Sequence, residues 1–144
     1  MTTITFCGHG SIPLLLHSEI RKKLSEVLKT SAKEGAVRFL LGGYGDFDNI
    51  CADEVKKLKK DFENIESILV LPYPRKTIDT SPYDKTIIAP LGNVSPQKAI
   101  PMRNRFLVDS SDIVIAYVKN PCGGAKTTLD YAALQGKYIV NLAF

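Results

Sequence analysis

Short apolar runs alternate with amphipathic stretches from one end of this sequence to the other, and that alternation limits the fold more than any other feature. Thr3-Ile4-Thr5-Phe6-Cys7 is β-branched and aromatic and stops at Gly8. Beyond Pro13, Ile20, Leu24, Val27 and Leu28 recur at helical spacing with Lys, Arg and Glu between them, up to a stop at Gly35. Val37 to Leu41 reads as a second strand, and Cys51, Val55, Leu58 and Phe62 mark one face of a second helix. Ser67 to Leu71, Asp112 to Tyr117 and Tyr138 to Leu142 are further strands, with a helix from about Thr127 to Gln135 before the last. Strands that are apolar throughout, rather than at every second position, belong to a sheet covered on both faces. Strands alternating with helices build a parallel sheet through right-handed crossovers. The expectation is a single doubly wound α/β domain over residues 1–144, with a mainly parallel sheet of about five strands.

One stretch breaks the rhythm. Residues 72–101 carry six of the eight prolines, and only Thr86 to Ala89 is strand-like. They read as a long ordered loop with a short extra strand. Pro101 then suits the first turn of a short helix bearing Met102, Arg105 and Phe106.

In open parallel sheets, ligands lie at the carboxyl ends of the strands. Three loops at those ends are glycine-rich: Gly8-His9-Gly10, Gly42-Gly43-Tyr44-Gly45 and Gly123-Gly124. Glycine lets a backbone approach a ligand closely. The helix that follows such a loop presents unpaired N–H groups and the positive end of its dipole, which together favour an anion.

Composition narrows the partners. The net charge of +4, from 19 basic and 15 acidic residues, is mild and suits an anionic small molecule. It argues against a nucleic-acid partner, because the densest basic cluster, Lys56-Lys57-Leu58-Lys59-Lys60, sits on an amphipathic helix as a solvated face. Cys7, Cys51 and Cys122 are widely spaced, and only His9 and His17 are available to join them, so no metal site is expected and a reducing cytoplasmic setting is. No secretory leader is expected, and no run reaches the roughly 18 to 20 apolar residues of a membrane span.

The most informative segment runs from Met102-Arg103-Asn104-Arg105, through the strand at Asp112, to Cys122-Gly123-Gly124-Ala125-Lys126-Thr127-Thr128-Leu129-Asp130. It resembles the signature of the SLOG superfamily, Rossmann-like domains that include the LOG (lysine decarboxylase-like) phosphoribohydrolases. That signature is an MxxR helix, a strand, then PGGxGTxxE opening a helix. Met102 and Arg105 match MxxR, Gly123, Gly124 and Thr127 match the glycines and threonine, and Asp130 stands at the glutamate. Phe6-Cys7-Gly8-His9-Gly10 is similar to the FxGHR opening of small SLOG proteins, and Leu71-Pro72-Tyr73 and Tyr83-Asp84 look like the compact members. The sequence departs from the pattern at Lys126 (a glycine there), at Asp130 (one methylene shorter) and at the inserted Cys122.

The resemblance implies a nucleotide or nucleotide-derived ligand, bound by Gly8, His9, Gly10, Gly42, Gly43, Gly45, Arg105 and the run Gly123, Gly124, Ala125, Lys126, Thr127 and Thr128. Lys126 in particular suits a phosphate. It also implies an enzymatic alternative, hydrolysis of a base–ribose bond with Arg105 and Asp130 as the catalytic pair, and a homodimer or larger homo-oligomer. A scaffold with a vestigial pocket, docking a protein partner, is the third reading. Structural alternatives stand beside these roles: Arg105 paired with Asp109, Asp130 complementing a helix dipole, Thr127 and Thr128 as helix caps, His9 in a structural hydrogen bond.

Overall fold

The computed structural model describes all residues 1–144. β1 (Thr2–Gly8), α1 (Leu14–Glu34), β2 (Val37–Leu41), α2 (Asp46–Leu58) and β3 (Ile65–Leu71) follow one another as the sequence pattern requires. A connection over 72–84 leads to β4 (Lys85–Ile88), then come α3 (Pro96–Asp109), β5 (Ile113–Tyr117), α4 (Gly124–Leu134) and β6 (Tyr138–Asn141). The strands form one six-stranded sheet in the order β4-β3-β2-β1-β5-β6, and every adjacent pair is parallel.

The chain starts in the middle of the sheet, builds outward to β4, and then crosses back past β1 to place β5 on its other side. The direction of travel therefore reverses between β1 and β5, where Ile4 pairs with Ile113 and Gly8 with Tyr117. Side-chain alternation along the strands feeds two helical layers. Ile4, Phe6, Phe39, Leu41, Ile115 and Tyr117 pack with α1 and α2, burying Ile20, Leu24, Leu28, Ile50 and Val55. Cys7, Val114 and Ala116 pack with Val108 and Ala132 of α3 and α4, and Leu40, Ile68 and Val70 with Leu107 of α3. Each aliphatic side chain taken fully out of water contributes about 1.5–3 kcal/mol, so these layers hold the strand ends in place.

The architecture is the expected one, with three differences in detail. The sheet has six strands rather than about five, because β4 completes one edge with no helix in its crossover. Its position is fixed by Asp84, whose carboxylate accepts the Ser67 N–H at 2.8 Å while its own N–H donates to the Ser67 carbonyl at 3.0 Å. α3 begins at Pro96, not Pro101: Ser95 precedes a proline in the first turn, and the helix runs on through Pro101. α4 begins at Gly124, three residues before Thr127. No helix is long and apolar enough to cross a membrane.

Candidate functional site

The reversal between β1 and β5 opens a cleft of about 320 Å³ at the carboxyl ends of the strands. Its floor is the end of β1, from Thr5 to Gly10. Gly42 and Tyr44 bound it after β2, Asp48 enters from α2, and Arg103 and Asn104 enter from α3. Asn120, Cys122, Gly123, Gly124, Ala125 and Thr128 close it at the start of α4.

The three glycine loops do different jobs. The N-terminus of α2 is occupied by the protein itself: the Asp46 N–H donates to the Gly10 carbonyl at 2.9 Å, and the Phe47 N–H to the His9 carbonyl at 3.3 Å. Asp46 also accepts the Ile12 N–H through Oδ2 at 2.8 Å, so it ties down the β1–α1 loop. Gly45, at φ +92°, is required there, because a Cβ would stand 2.6 Å from the Gly10 Cα. The N-terminus of α4 is open. Gly123 sits at φ +105° with no side-chain cap on the helix, and the N–H groups of Gly124, Ala125 and Lys126 have no acceptor in the protein. Thr127 and Thr128 donate their hydroxyls back to the Gly123 and Gly124 carbonyls, each at 3.0 Å.

His9 joins two of these loops. Its Nε2 accepts the N–H groups of Lys119 at 2.9 Å and Asn120 at 3.3 Å, which makes the ring neutral with its proton on Nδ1. His9→Ala removes that shared acceptor and is expected to lower stability by about 1 kcal/mol, or about 3 °C in Tm. A thermal melt that moves by less than 1 °C would show that the contact carries no weight.

Charge in the cleft comes from Arg103 and Asp48. Arg103 is 4% exposed. Its Nη1 donates to the carbonyls of Gly42 at 3.0 Å and Val70 at 2.9 Å, and its Nε to Asn104 Oδ1 at 2.9 Å. Asp48 is half-buried, and its Oδ2 accepts the Tyr44 N–H at 3.0 Å. Burial pushes the Asp48 carboxyl up to about 6, against the opposing pull of the Tyr44 N–H and the Arg103 guanidinium. Burial, with Asp48 adding to it, pushes the Cys7 thiol up to about 12, so it is no nucleophile at neutral pH.

Of the residues singled out in the sequence, Gly8, His9, Gly10, Gly42, Gly123, Gly124, Ala125 and Thr128 come together around the cleft. Gly43, Gly45, Arg105, Lys126, Thr127 and Asp130 are not among its lining residues. A Cβ on Gly43 would stand 2.6 Å from Leu69, so that glycine serves packing. Arg105 is exposed and lies over the Tyr131 ring, 5.3 Å from its centre. Lys126 is paired with Asp130 at 2.8 Å, one turn apart on the outer side of α4. The arginine of the cleft is therefore Arg103 and its carboxylate Asp48. Ala99, Arg103 and Leu107 form the buried i, i+4, i+8 stripe of α3, and Arg105 stands about 200° further round the axis than Arg103.

No protein-family model matches the sequence, and no curated protein matches it either. Solved structures do match in fold. The protein TM1055 superposes with a TM-score of 0.65 at 18% identity over 96% of this chain and 72% of that one. DNA processing protein A from Helicobacter pylori, described for its single-stranded DNA binding mode, gives 0.66 at 17% identity over 96% of this chain. The present chain spans 63% of that protein's length. The molybdenum cofactor carrier protein of Chlamydomonas reinhardtii gives 0.62 at 20% identity, over 98% of this chain and 76% of that one.

Sheet order, helix layers and the cleft at the reversal point define a Rossmann-like α/β domain. That Rossmann-like fold is shared with these three proteins.

Proposed function

We propose that the cleft binds a nucleotide or a nucleotide-derived small molecule, with a phosphate seated on the N-terminus of α4. The observation that carries this reading is the pair of unpartnered N–H groups at Gly124 and Ala125, residues that line a cleft at the topological switch point. Asn104, Asn120 and Thr128 supply further polar groups around it. Two of the neighbours in fold are described by what they bind, one as a molybdenum cofactor carrier and the other for its single-stranded DNA binding, which supports a ligand-binding role for the fold. The geometry lends no support to base–ribose cleavage by Arg105 and Asp130, since one packs on Tyr131 and the other is held by Lys126.

Thermal melts against a panel of nucleotides and nucleotide derivatives test the reading. A compound at about ten times its Kd is expected to raise Tm by about 4 °C. Thr128→Glu brings a carboxylate into the cleft beside the phosphate position and should abolish that rise, while leaving the helix start intact, because Thr128 lies a full turn beyond Gly124. The double variant Arg105→Ala, Lys126→Ala should bind as the parent does. A panel with no shift at millimolar concentration, or a shift indifferent to Thr128→Glu, would sink the proposal.

A further inference from the structure

We infer that Asp48 reads the hydroxyl groups of the ligand, so that the cleft selects a phosphate ester carrying a sugar diol. This rests on the nucleotide reading above and names the part of the ligand that reading leaves open. Asp48 projects from the first turn of α2 into the cleft, and only one of its oxygens is served by the protein. Oδ2 accepts the Tyr44 N–H, and Oδ1 has no protein donor. The nearest cation does not supply one. Arg103 stands on the other side of Gly42, where a Cβ would lie 3.1 Å from Asp48 Oδ2 and 3.3 Å from the Arg103 Cζ. Its Nη1 protons go to the carbonyls of Gly42 and Val70, and no ion pair forms between the two groups.

Oδ1, on a residue that lines the cleft and without a protein donor, is an acceptor open to a ligand. The partner it fits is one that brings donors only. Arg103 Nε and Nη1 are committed to Asn104, Gly42 and Val70, so at Asp48 Oδ1 the protein offers an acceptor that two adjacent hydroxyls can share. Gly42, without a side chain, lets Asp48 and Arg103 pack close against the end of β2. The apolar lining from Ile100, Leu107 and Val108 lies along α3 and is left for the rest of the molecule.

The groups around Asp48 are Arg103 of α3, Cys7 of β1, Cys51 one turn along α2, and Tyr83 of the 72–84 connection. Burial holds Cys7 and Tyr83 protonated to about 12, and Cys51 is likewise pushed well up. Lining the same cleft, His9 has its Nε2 held by two backbone donors. Among the groups packed directly on Asp48, its own carboxyl is the one that changes charge near pH 6.

Isothermal titration with AMP and 2′,3′-dideoxy-AMP, on the parent and on Asp48→Asn, tests the inference. The asparagine keeps a carbonyl oxygen for the Tyr44 N–H, and a melt at pH 7.5 verifies that the variant is folded. The parent should prefer AMP by about tenfold or more, and Asp48→Asn should bind both within about twofold. The parent's preference should also shrink as the pH falls from 7.5 to 5, with a midpoint near 6, and the variant's should stay flat. Taking the ratio of the two ligands cancels the titration of their common phosphate. If AMP binds and its preference survives Asp48→Asn, the diol inference is overturned while the nucleotide reading stands. A preference that follows the base, as in a switch to GMP with no sensitivity to the hydroxyls, overturns it in the same way. If neither phosphate ester binds, both readings fall.

Discussion

Arg103→Met is expected to lower the melting temperature by about 10 °C, the largest loss from any single polar side chain in this domain. The guanidinium is almost fully buried and donates to two main-chain carbonyls at the ends of neighbouring strands, Gly42 after β2 and Val70 in β3. Methionine replaces the aliphatic stem of the side chain and so keeps the packing of the α3 stripe, while the guanidinium and its hydrogen bonds are lost. Two carbonyls then lose their donor and Asp48 loses its nearest cation. Stranding buried partners in this way costs about 3 kcal/mol, and a domain of this size moves by about 3 °C for each. The double variant with Asp48→Asn should lose less than the sum of the two single effects, because one of the orphaned groups is gone. A drop of under 3 °C, or strict additivity with Asp48→Asn, would mean that Arg103 is solvated and does not knit the strand ends together.

The fold was legible because its determinants are local. Each strand of the central sheet is a continuous apolar run, and each of the first two helices shows its spacing in Ile20, Leu24 and Leu28 or in Cys51, Val55 and Leu58. The edge strand β4 was only half legible, since all four of its residues are exposed and its placement depends on Asp84 reaching back to Ser67. The site was legible at the level of loops and not of side chains. Glycine loops at strand ends announce a cleft, but the sequence does not say which helix N-terminus stays open. That depends on the Gly10 and His9 carbonyls capping α2 and on nothing comparable reaching α4.

The choice between Arg103 and Arg105 turned on helix phase. A motif match at Met102 and Arg105 favours one, while a helix begun at Ser95-Pro96 puts Ala99, Arg103 and Leu107 on the buried stripe and favours the other. Starting the helix at Pro101 hid that stripe, because a single turn holds too few apolar positions to fix its phase. Lys126 and Asp130 show a related limit. Four residues apart on one helix, they satisfy each other at 2.8 Å, an outcome their spacing allows and a motif alignment overlooks.

Asp48→Asn is expected to raise the melting temperature at pH 7.5 by about 6 °C, and the gain should vanish by pH 4. Burial moves the carboxyl from its ordinary 3.8 up to about 6, in spite of the Tyr44 N–H and the Arg103 guanidinium. The folded protein therefore holds this proton more tightly than the unfolded chain does. Such a group contributes stability that is fully present below pH 4 and is lost as the pH rises through 6. At neutral pH the ionised carboxylate costs about 2 kcal/mol, after a reduction for its partial contact with water. Asparagine has the same shape and no charge to desolvate, so it recovers that amount above pH 6 and nothing below pH 4. Melts of the two proteins at pH 4, 5, 6 and 7.5 give the comparison directly. A constant offset across the series would place the effect in packing, and a variant less stable at pH 7.5 would show that the attraction to Arg103 outweighs the burial.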